Sequence, residues 1–316
     1  MRLALIDVPF KNPPEIEKMD LPDYGYGNHL RAVTVKKCKE IYDIGFRIIS
    51  VPFHPDATDE DIEYAKGVLA ESGMMPGPTG ASISPVHQDS AKEKEDKKVI
   101  AQGLKMSGKI GAPFLMISAG SMRQTEPWKP HPENHTQKSL DRMVKSCKEL
   151  APVAEDSNCI LCPETTQWTI INSVERMKEF VDRVDSPYVK ITFDPVNHMT
   201  YDRVWDSGRY IRCAIAALGD RIETIHCKDV MVDPDQYHVS HIDEAKMGSG
   251  LLDHEALINA SEVLEPYKLF AIEHIRNMEG FKKAYEYIQD VADSIDHKWT
   301  DPKLTRDRWL KMKEKH

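Results

Sequence analysis

Short apolar runs alternate with longer amphipathic segments along almost the whole of this 316-residue chain. Eight apolar runs predict strands, over Leu3–Val8, Arg47–Val51, Gly77–Ile83, Pro113–Ser118, Cys159–Cys162, Val189–Phe193, Glu223–His226 and Leu269–Ile272. The segments between and after them predict helices, over residues 33–44, 58–72, 92–110, 136–155, 172–185, 207–218, 254–264 and 278–293. Because parallel strands need crossover helices, eight strand–helix repeats indicate a parallel α/β fold.

The number of repeats favours a closed barrel over an open sheet. Eight units in about 290 residues match the size of a (β/α)8 barrel. A doubly wound open sheet usually has a glycine-rich turn after its first strand, whereas Val8-Pro9-Phe10-Lys11 follows the first strand here. We therefore expect a single α/β barrel over residues 1–296. A charged extension over 297–316 is expected either to pack on the underside of the barrel or to contact another subunit.

The charge balance limits the partners of the chain. Its 42 Lys and Arg against 51 Asp and Glu give a net charge of −9, which argues against a nucleic-acid or anionic-membrane binder. No apolar stretch is long enough to span a membrane, and the short first run lacks the features of a signal peptide. We expect a cytoplasmic protein with no nucleic-acid or membrane partner.

Four connections are longer than a crossover needs, and each follows a strand. They cover residues 9–32, 119–135, 194–206 and 227–253. In a barrel these loops meet at the C-terminal face, where active sites lie. Loops of this length are usually functional or disordered.

The later strands end in residues that bind metals. Glu164, Asp194, His226 and Glu273 stand at or directly after the apolar runs of strands five to eight. Three carboxylates and an imidazole that converge on one point repel one another unless a cation lies between them. Oxygen ligands with one imidazole suit one divalent ion, with Mn²⁺ as the first choice and Mg²⁺, Co²⁺ or Zn²⁺ as alternatives.

These residues lie within motifs that resemble a known family. The segments PET, FDPVNH, IHCKD, KMGSGLLDHEAL and FAIEH, in this order between residues 159 and 275, are similar to those of the xylose-isomerase-like (β/α)8 superfamily of sugar isomerases and epimerases. The resemblance implies that Glu164, Asp194, His226 and Glu273 are metal ligands. It also implies that Glu164 and Glu273 act as an acid–base pair on opposite faces of the substrate.

One position departs from the family pattern. Members often have a histidine three residues after the strand-six aspartate, where it binds a substrate oxygen, but Asn197 holds that place here. Asparagine can bind a hydroxyl group but cannot act as a base. Its neighbour His198, and Lys228 after the metal histidine, are further candidates for substrate contacts. Asp229 is a candidate for orienting His226.

The loop after strand four and the turn after strand five add further candidate residues. Arg123, Trp128, His131 and His135 lie in the loop, and Trp168 follows Glu164. Aromatic, basic and imidazole groups above a metal site would suit a sugar or an aryl glycoside. The alternative is a solvated, proline-rich loop with no role in binding.

Two reactions fit this pattern. The first is a metal-dependent sugar isomerase or epimerase that abstracts a proton α to a carbonyl, acting on a non-phosphorylated carbohydrate. The second is a C-glycoside deglycosidase, a catalytic α subunit that resembles one branch of the superfamily. With a small β subunit, it would cleave the carbon–carbon bond of 3-oxo-C-glycosides by elimination, a lyase reaction. His135 or His131 would then deprotonate the aglycone phenol.

Two other functions fit the sequence less well. Separately, we expect the chain to form an oligomer. A metal-dependent abasic-site endonuclease needs more metal ligands and a basic face, which the net charge of −9 disfavours. A non-catalytic, metal-stabilised partner subunit would not need to retain both glutamates.

Overall fold

The predicted strands form one parallel sheet in the computed structural model of the chain, which describes residues 1–14, 29–123, 126–233 and 241–315. The strands are Arg2–Leu5 (β1), Ile48–Ile49 (β2), Met75–Pro76 (β3), Thr79–Gly80 (β4), Phe114–Ser118 (β5), Ile160–Glu164 (β6), Ile191–Phe193 (β7), Ile222–Cys227 (β8), Asp229–Val232 (β9), Ile242–Ala245 (β10) and Leu269–Ile272 (β11). Strands β9 and β10 form a separate antiparallel hairpin. The sequence pattern did not predict this hairpin.

The sheet curls into a barrel, because its two edge strands, β3 and β4, follow each other directly in the chain. Its hydrogen-bonded order is β3-β2-β1-β11-β8-β7-β6-β5-β4, and only Gly77 and Pro78 separate β3 from β4. The Gly77 amide donates to Ile49 O at 2.7 Å, and the Val51 amide donates to Pro78 O at 2.9 Å. A Cβ atom at Gly77 would lie 2.6 Å from Ile49 O, so this close approach requires glycine. The predicted third strand is thus split in two, and the predicted (β/α)8 barrel is confirmed.

Helices follow the barrel strands as the periodicity predicted. The described residues contain nine α-helices, Val35–Ile44 (α1), Asp59–Ser72 (α2), Ser90–Ile110 (α3), Gln137–Asp156 (α4), Val174–Val184 (α5), Ser207–Leu218 (α6), His254–Ser261 (α7), Met278–Ser294 (α8) and Arg306–Lys313 (α9). Helix α2 shows how the local sequence sets the boundaries. Thr58 and Asp61 form a reciprocal capping box at its start, and Gly73 ends it with a left-handed φ of 72°. None of these helices is long and apolar enough to cross a membrane.

Alternation along each strand separates two apolar layers. Phe114 and Met116 of β5 belong to a small cluster inside the barrel, with Ile160 and Cys162 of β6 among its members. The residues between them, such as Leu115, join the large core between sheet and helices. Successive side chains of a strand point to opposite faces, so the barrel interior is filled and the polar strand ends are left at its mouth.

The C-terminal segment packs across the N-terminal ends of the strands. The Thr300 amide donates to Met1 O at 3.0 Å, and Arg2 Nη1 donates to Pro302 O at 3.1 Å. Trp309 Nε1 of α9 donates to Glu265 Oε1 at 3.2 Å. Of the two roles expected for this extension, packing on the underside is therefore observed. The division of the chain into 1–296 and 297–316 stays a prediction.

Candidate metal centre and active site

Four side chains from neighbouring strands meet at the mouth of the barrel. Glu164 ends β6, Asp194 directly follows β7, His226 lies within β8, and Glu273 directly follows β11. These strands are adjacent in the sheet, so their C-terminal ends bring the four side chains together. Their ligand atoms all lie within 4.8 Å of one another, and all four residues are buried. The structure therefore shows the convergence of these four side chains that their positions at strand ends predicted.

The carboxylate oxygens and imidazole nitrogens of this group have close charged neighbours but few hydrogen bonds. His226 Nδ1 lies 3.0 Å from Glu273 Oε1 and 3.3 Å from Glu164 Oε1. Within the described part of the chain, Asp194 Oδ2, both nitrogens of His226 and both carboxylate oxygens of Glu273 have no partner in hydrogen-bond geometry, although some of them lie in ion pairs. Buried polar atoms normally have partners, because leaving them without one costs free energy. The donor set therefore fits a hard divalent cation that accepts one nitrogen ligand.

Burial and mutual charge shift the pKa values of the group strongly. Burial raises the pKa of Asp194 to about 7, in spite of the nearby Lys228 ammonium. Burial opposes the ionisation of Glu273, but His226 and Lys228 hold the pKa of Glu273 well below its usual range. Burial also disfavours the imidazolium, but Glu273 and Glu164 raise the pKa of His226 well above its usual value. Shifts of this kind are typical of functional sites.

Lys228 and Asn197, both predicted to contact substrate, lie directly against the carboxylates of this group. Lys228 is 3% exposed, and its Nζ is 2.7 Å from Asp194 Oδ2 and 3.0 Å from Glu273 Oε1. Asn197 bridges the two sides of the site. Its Nδ2 donates to Glu164 Oε1 at 3.0 Å, and its Oδ1 accepts from Lys228 Nζ at 3.0 Å.

The β9–β10 hairpin adds a carboxylate that the sequence did not identify. Glu244 of β10 lies 3.3 Å from Lys228 Nζ and accepts from His274 Nδ1 at 2.8 Å. His274 directly follows Glu273 and has a left-handed φ of 58°, which turns the chain sharply after the ligand. The sequence gives no sign of Glu244, because β10 is only four residues long and lies within a connection predicted to be an irregular loop.

Asp229 has a different role from the one expected. Its carboxylate does not orient His226 but accepts from four backbone amides, those of Val230, Gly248, Gly250 and Leu252. It therefore fixes the turn over residues 248–250, within the segment KMGSGLLDHEAL. A Cβ atom at Gly250 would collide with Asp229 Oδ1 and Val230 O, which explains the second glycine of that turn.

His198 is buried beneath the site. It has no exposed surface, and its Nε2 lies 3.0 Å from Thr165 Oγ1. Burial lowers the pKa of His198 to about 3, so the ring is neutral. In this arrangement His198 therefore exposes no surface that a substrate could contact. It supports the turn after β7 instead.

A groove of about 530 Å³ leads away from the site. It is lined by Trp168, Asn197, Tyr201 and Glu244, together with Gln167 and His241. Trp168 is 52% exposed and Tyr201 is 58% exposed, so two large aromatic faces are open to a ligand. The predicted position of Trp168 beside the site is consistent with this arrangement. Tyr201 could not be identified from the sequence, because it follows no strand end directly.

The loop after β5 makes contacts mainly with itself and its neighbours. Trp128 Nε1 donates to Ser82 Oγ at 2.6 Å, and exposed Arg123 pairs with Glu126 at 3.0 Å. His131 Nδ1 accepts from the Glu133 amide at 3.2 Å. His135 is exposed, with its Nδ1 2.8 Å from Asn172 Nδ2. In the described part of the chain, the contacts of these residues do not include the four clustered ligands, and their roles remain predictions.

One further residue of that loop connects it to the groove, although its sequence context does not mark it. Asn134 is fully buried. It accepts from the Met122 amide at 2.8 Å and donates to Trp168 O at 2.7 Å, so it joins the loop to the groove. Parts of two of the four long connections, residues 15–28 and 234–240, lie outside the described residues.

Comparisons with known proteins agree with this architecture. A xylose isomerase-like TIM barrel protein from Mycobacterium smegmatis, solved with magnesium, is 18% identical with a TM-score of 0.64; the match covers 82% of this chain and 88% of that one. D-psicose 3-epimerase from Clostridium cellulolyticum H10, solved with D-tagatose, is 16% identical with a TM-score of 0.68, covering 94% and 100%. 3-Keto-D-glucoside 4-epimerase from E. coli is 15% identical with a TM-score of 0.65, covering 92% and 99%.

At these identities the solved structures show a shared fold. No sequence among the curated proteins matches the chain. The sequence profile described as xylose isomerase-like TIM barrel matches residues 38–290, which is most of the chain. The protein therefore belongs to the xylose isomerase-like TIM barrel family.

Proposed function

We propose that this protein is a divalent-metal-dependent carbohydrate enzyme that moves a proton at the carbon next to a carbonyl group. The observation that carries the proposal is the buried group of Glu164, Asp194, His226 and Glu273, whose ligand atoms lie within 4.8 Å of one another. A structural metal site has no need of an open groove beside it, whereas this group adjoins one through Asn197.

The metal would be held by these four residues, and Mn²⁺ is the first candidate because the donors are three carboxylates and one imidazole. When bound, such an ion withdraws electrons from a carbonyl oxygen and stabilises the negative charge that develops when the neighbouring carbon loses its proton. Mg²⁺, Co²⁺ and Zn²⁺ are alternatives for the same donor set.

The protein side chains would carry the proton. One of the two glutamates, Glu164 or Glu273, takes the proton from the carbon, and the electron pair of the broken C–H bond forms the enediolate. The other glutamate, in its protonated form, returns a proton to the same or the neighbouring carbon. The Asn197 amide holds Glu164 Oε1 in place at 3.0 Å, and Lys228 places a buried positive charge beside the developing anion.

The names of similar structures support a sugar substrate. Those structures include epimerases of D-psicose, of L-ribulose and of a 3-keto-D-glucoside. Proton transfer next to a carbonyl accounts for epimerisation in all of these substrates. We infer a non-phosphorylated carbonyl sugar, because no glycine-rich phosphate loop precedes a helix in the sequence.

Deuterium exchange tests the proposal even while the product is unidentified. The purified chain with Mn²⁺ is incubated in D2O with a panel of ketohexoses and 3-keto-D-glucosides, and NMR follows exchange of the C–H proton next to the carbonyl. Glu164→Gln and Glu273→Gln should each lower the exchange rate by about 10²- to 10⁴-fold. Glu223→Gln is the matched control, since Glu223 is equally buried but lies at the opposite end of β8. Full activity in both ligand variants would contradict the assignment.

The open aromatic groove favours a second candidate, elimination from a 3-oxo-C-glycoside with a small β subunit as partner. Trp168 and Tyr201 could stack on an aromatic aglycone, and His135 or His131 would take the phenolic proton. The test is release of the free aglycone from a 3-oxo-C-glucosylated phenol, measured by chromatography with and without the co-expressed subunit. Release that is lost in His135→Ala and His131→Ala would support this candidate. Absence of release under all conditions would exclude it.

A further inference from the structure

Lys228 makes contacts that a metal ion would also need. It follows His226 by two residues, so both side chains extend to the same side of the chain at the end of β8. Its Nζ lies 2.7 Å from Asp194 Oδ2 and 3.0 Å from Glu273 Oε1. One fixed ammonium group therefore already offsets part of the negative charge of two of the four proposed ligands.

The same ammonium has two other acceptors that are not ligands. Asn197 Oδ1 accepts from Lys228 Nζ at 3.0 Å, and Glu244 Oε1 lies 3.3 Å away. Both residues line the groove. An ammonium has only three N–H donors, so the four neighbours compete for it. A small movement of Nζ toward Glu244 would keep it paired while releasing Asp194 and Glu273.

We propose that Lys228 competes with the divalent cation for Asp194 and Glu273, and that it shifts onto Glu244 and Asn197 when the cation binds. This inference rests on the proposed metal site. Three carboxylates outweigh a divalent cation by one negative charge, and the Lys228 ammonium cancels that charge. Because the ammonium must leave Asp194 and Glu273 before the cation can bind them, Lys228 lowers the affinity for metal. In the metal-bound protein its positive charge faces the groove.

Calorimetric titration of the metal-free chain with MnCl2 at neutral pH tests the inference. Lys228→Met keeps the length of the side chain and removes its charge. It should lower the Kd for Mn²⁺ by about tenfold or more, because a cation–cation repulsion in a buried site is removed. Lys246→Met, which removes an exposed lysine from the turn after β10, should leave the Kd within about twofold. A Kd in Lys228→Met that is unchanged or higher would overturn the inference.

A second variant removes the alternative acceptor. Glu244→Gln, a change at a 45% exposed side chain, should weaken Mn²⁺ binding by roughly three- to tenfold, and the effect should vanish in the Lys228→Met background. An equal effect in both backgrounds would mean that Glu244 acts by its own charge, which contradicts the proposed movement. Thermal unfolding with and without Mn²⁺ shows that each variant is folded and gives an independent reading of metal affinity.

The two proposals fail in distinguishable ways. A wild-type chain that binds no divalent cation would overturn both the metal site and the competition. A wild-type chain that binds Mn²⁺ while Lys228→Met binds it no more tightly would overturn the competition alone.

Discussion

The side-chain amide of Asn197 donates a 3.0 Å hydrogen bond to Glu164 Oε1. Asn197 holds a position at which the family resemblance predicts a histidine, and it connects one proposed acid–base residue to the Lys228 ammonium. The contact fixes the direction of the Glu164 carboxylate, which faces a substrate carbon in the proposed reaction.

Loss of this amide should slow the chemical step. Asn197→Ala removes a hydrogen bond to a charged group, which contributes about 1.5–3 kcal/mol, so we expect the rate of deuterium exchange to fall roughly 10- to 100-fold. Asn259→Ala, at an exposed position of helix α7, is the control and should leave the rate unchanged. An Asn197→Ala rate equal to that of the wild type would show that Glu164 needs no such support.

The turn fixed by Asp229 should not tolerate a side chain at Gly250. A Cβ there would collide with Asp229 Oδ1 and Val230 O, so we expect Gly250→Ala to lower the free energy of unfolding by about 1–3 kcal/mol. Gly67→Ala is the matched control, because a Cβ at Gly67 in helix α2 meets nothing within 4 Å. It should raise stability by up to about 1 kcal/mol. Urea unfolding measures both, and equal stabilities would contradict the packing described for this turn.

Glu223 should make stability depend on pH at the opposite end of the barrel. It is 2% exposed, and burial raises the pKa of Glu223 to about 7, although Lys268, Lys190 and Arg306 oppose the increase. A glutamate in an unfolded chain has a pKa of about 4.3. The folded protein therefore favours the protonated form, and this stabilisation is complete below about pH 4 and is lost as the pH rises through 7.

Glu223→Gln cannot ionise and should lose this dependence. The difference in unfolding free energy between Glu223→Gln and the wild type should shift in favour of the variant by on the order of 2–3 kcal/mol between pH 5 and pH 8. Urea unfolding at several pH values measures it. A constant difference across this range would show that Glu223 is ionised in the folded protein throughout.

The barrel could be predicted because its signal is repeated. Each of the eight apolar runs is weak alone, but their spacing with helices such as α2 and α4 requires parallel strands. The convergence of the candidate metal ligands could be predicted for the same reason: Glu164, Asp194 and Glu273 all stand where an apolar run ends. Topology alone brings such residues to one face of a barrel.

Contacts that depend on loops could not be predicted in this way. Glu244 reaches Lys228 from a hairpin that pairs within a long connection, and nothing in four residues of β10 marks it. His198 and Asp229 are polar residues near strand ends, as the candidate ligands are. His198 is buried against Thr165, and Asp229 binds backbone amides. The position of a residue at a strand end identifies the face of the barrel on which it lies. The direction of its side chain depends on local backbone geometry.

Together, Glu164, Asp194, His226 and Glu273 are expected to hold one divalent cation, and every proposed step depends on that ion. The most direct measurement is the stoichiometry of Mn²⁺ bound per chain, determined by elemental analysis after dialysis and by titration, for the wild type, His226→Ala and Asp194→Asn. We predict one ion per wild-type chain and a Kd raised by about 10²-fold or more in both variants. A wild-type chain without bound Mn²⁺, or variants that bind it as tightly as the wild type, would contradict this assignment.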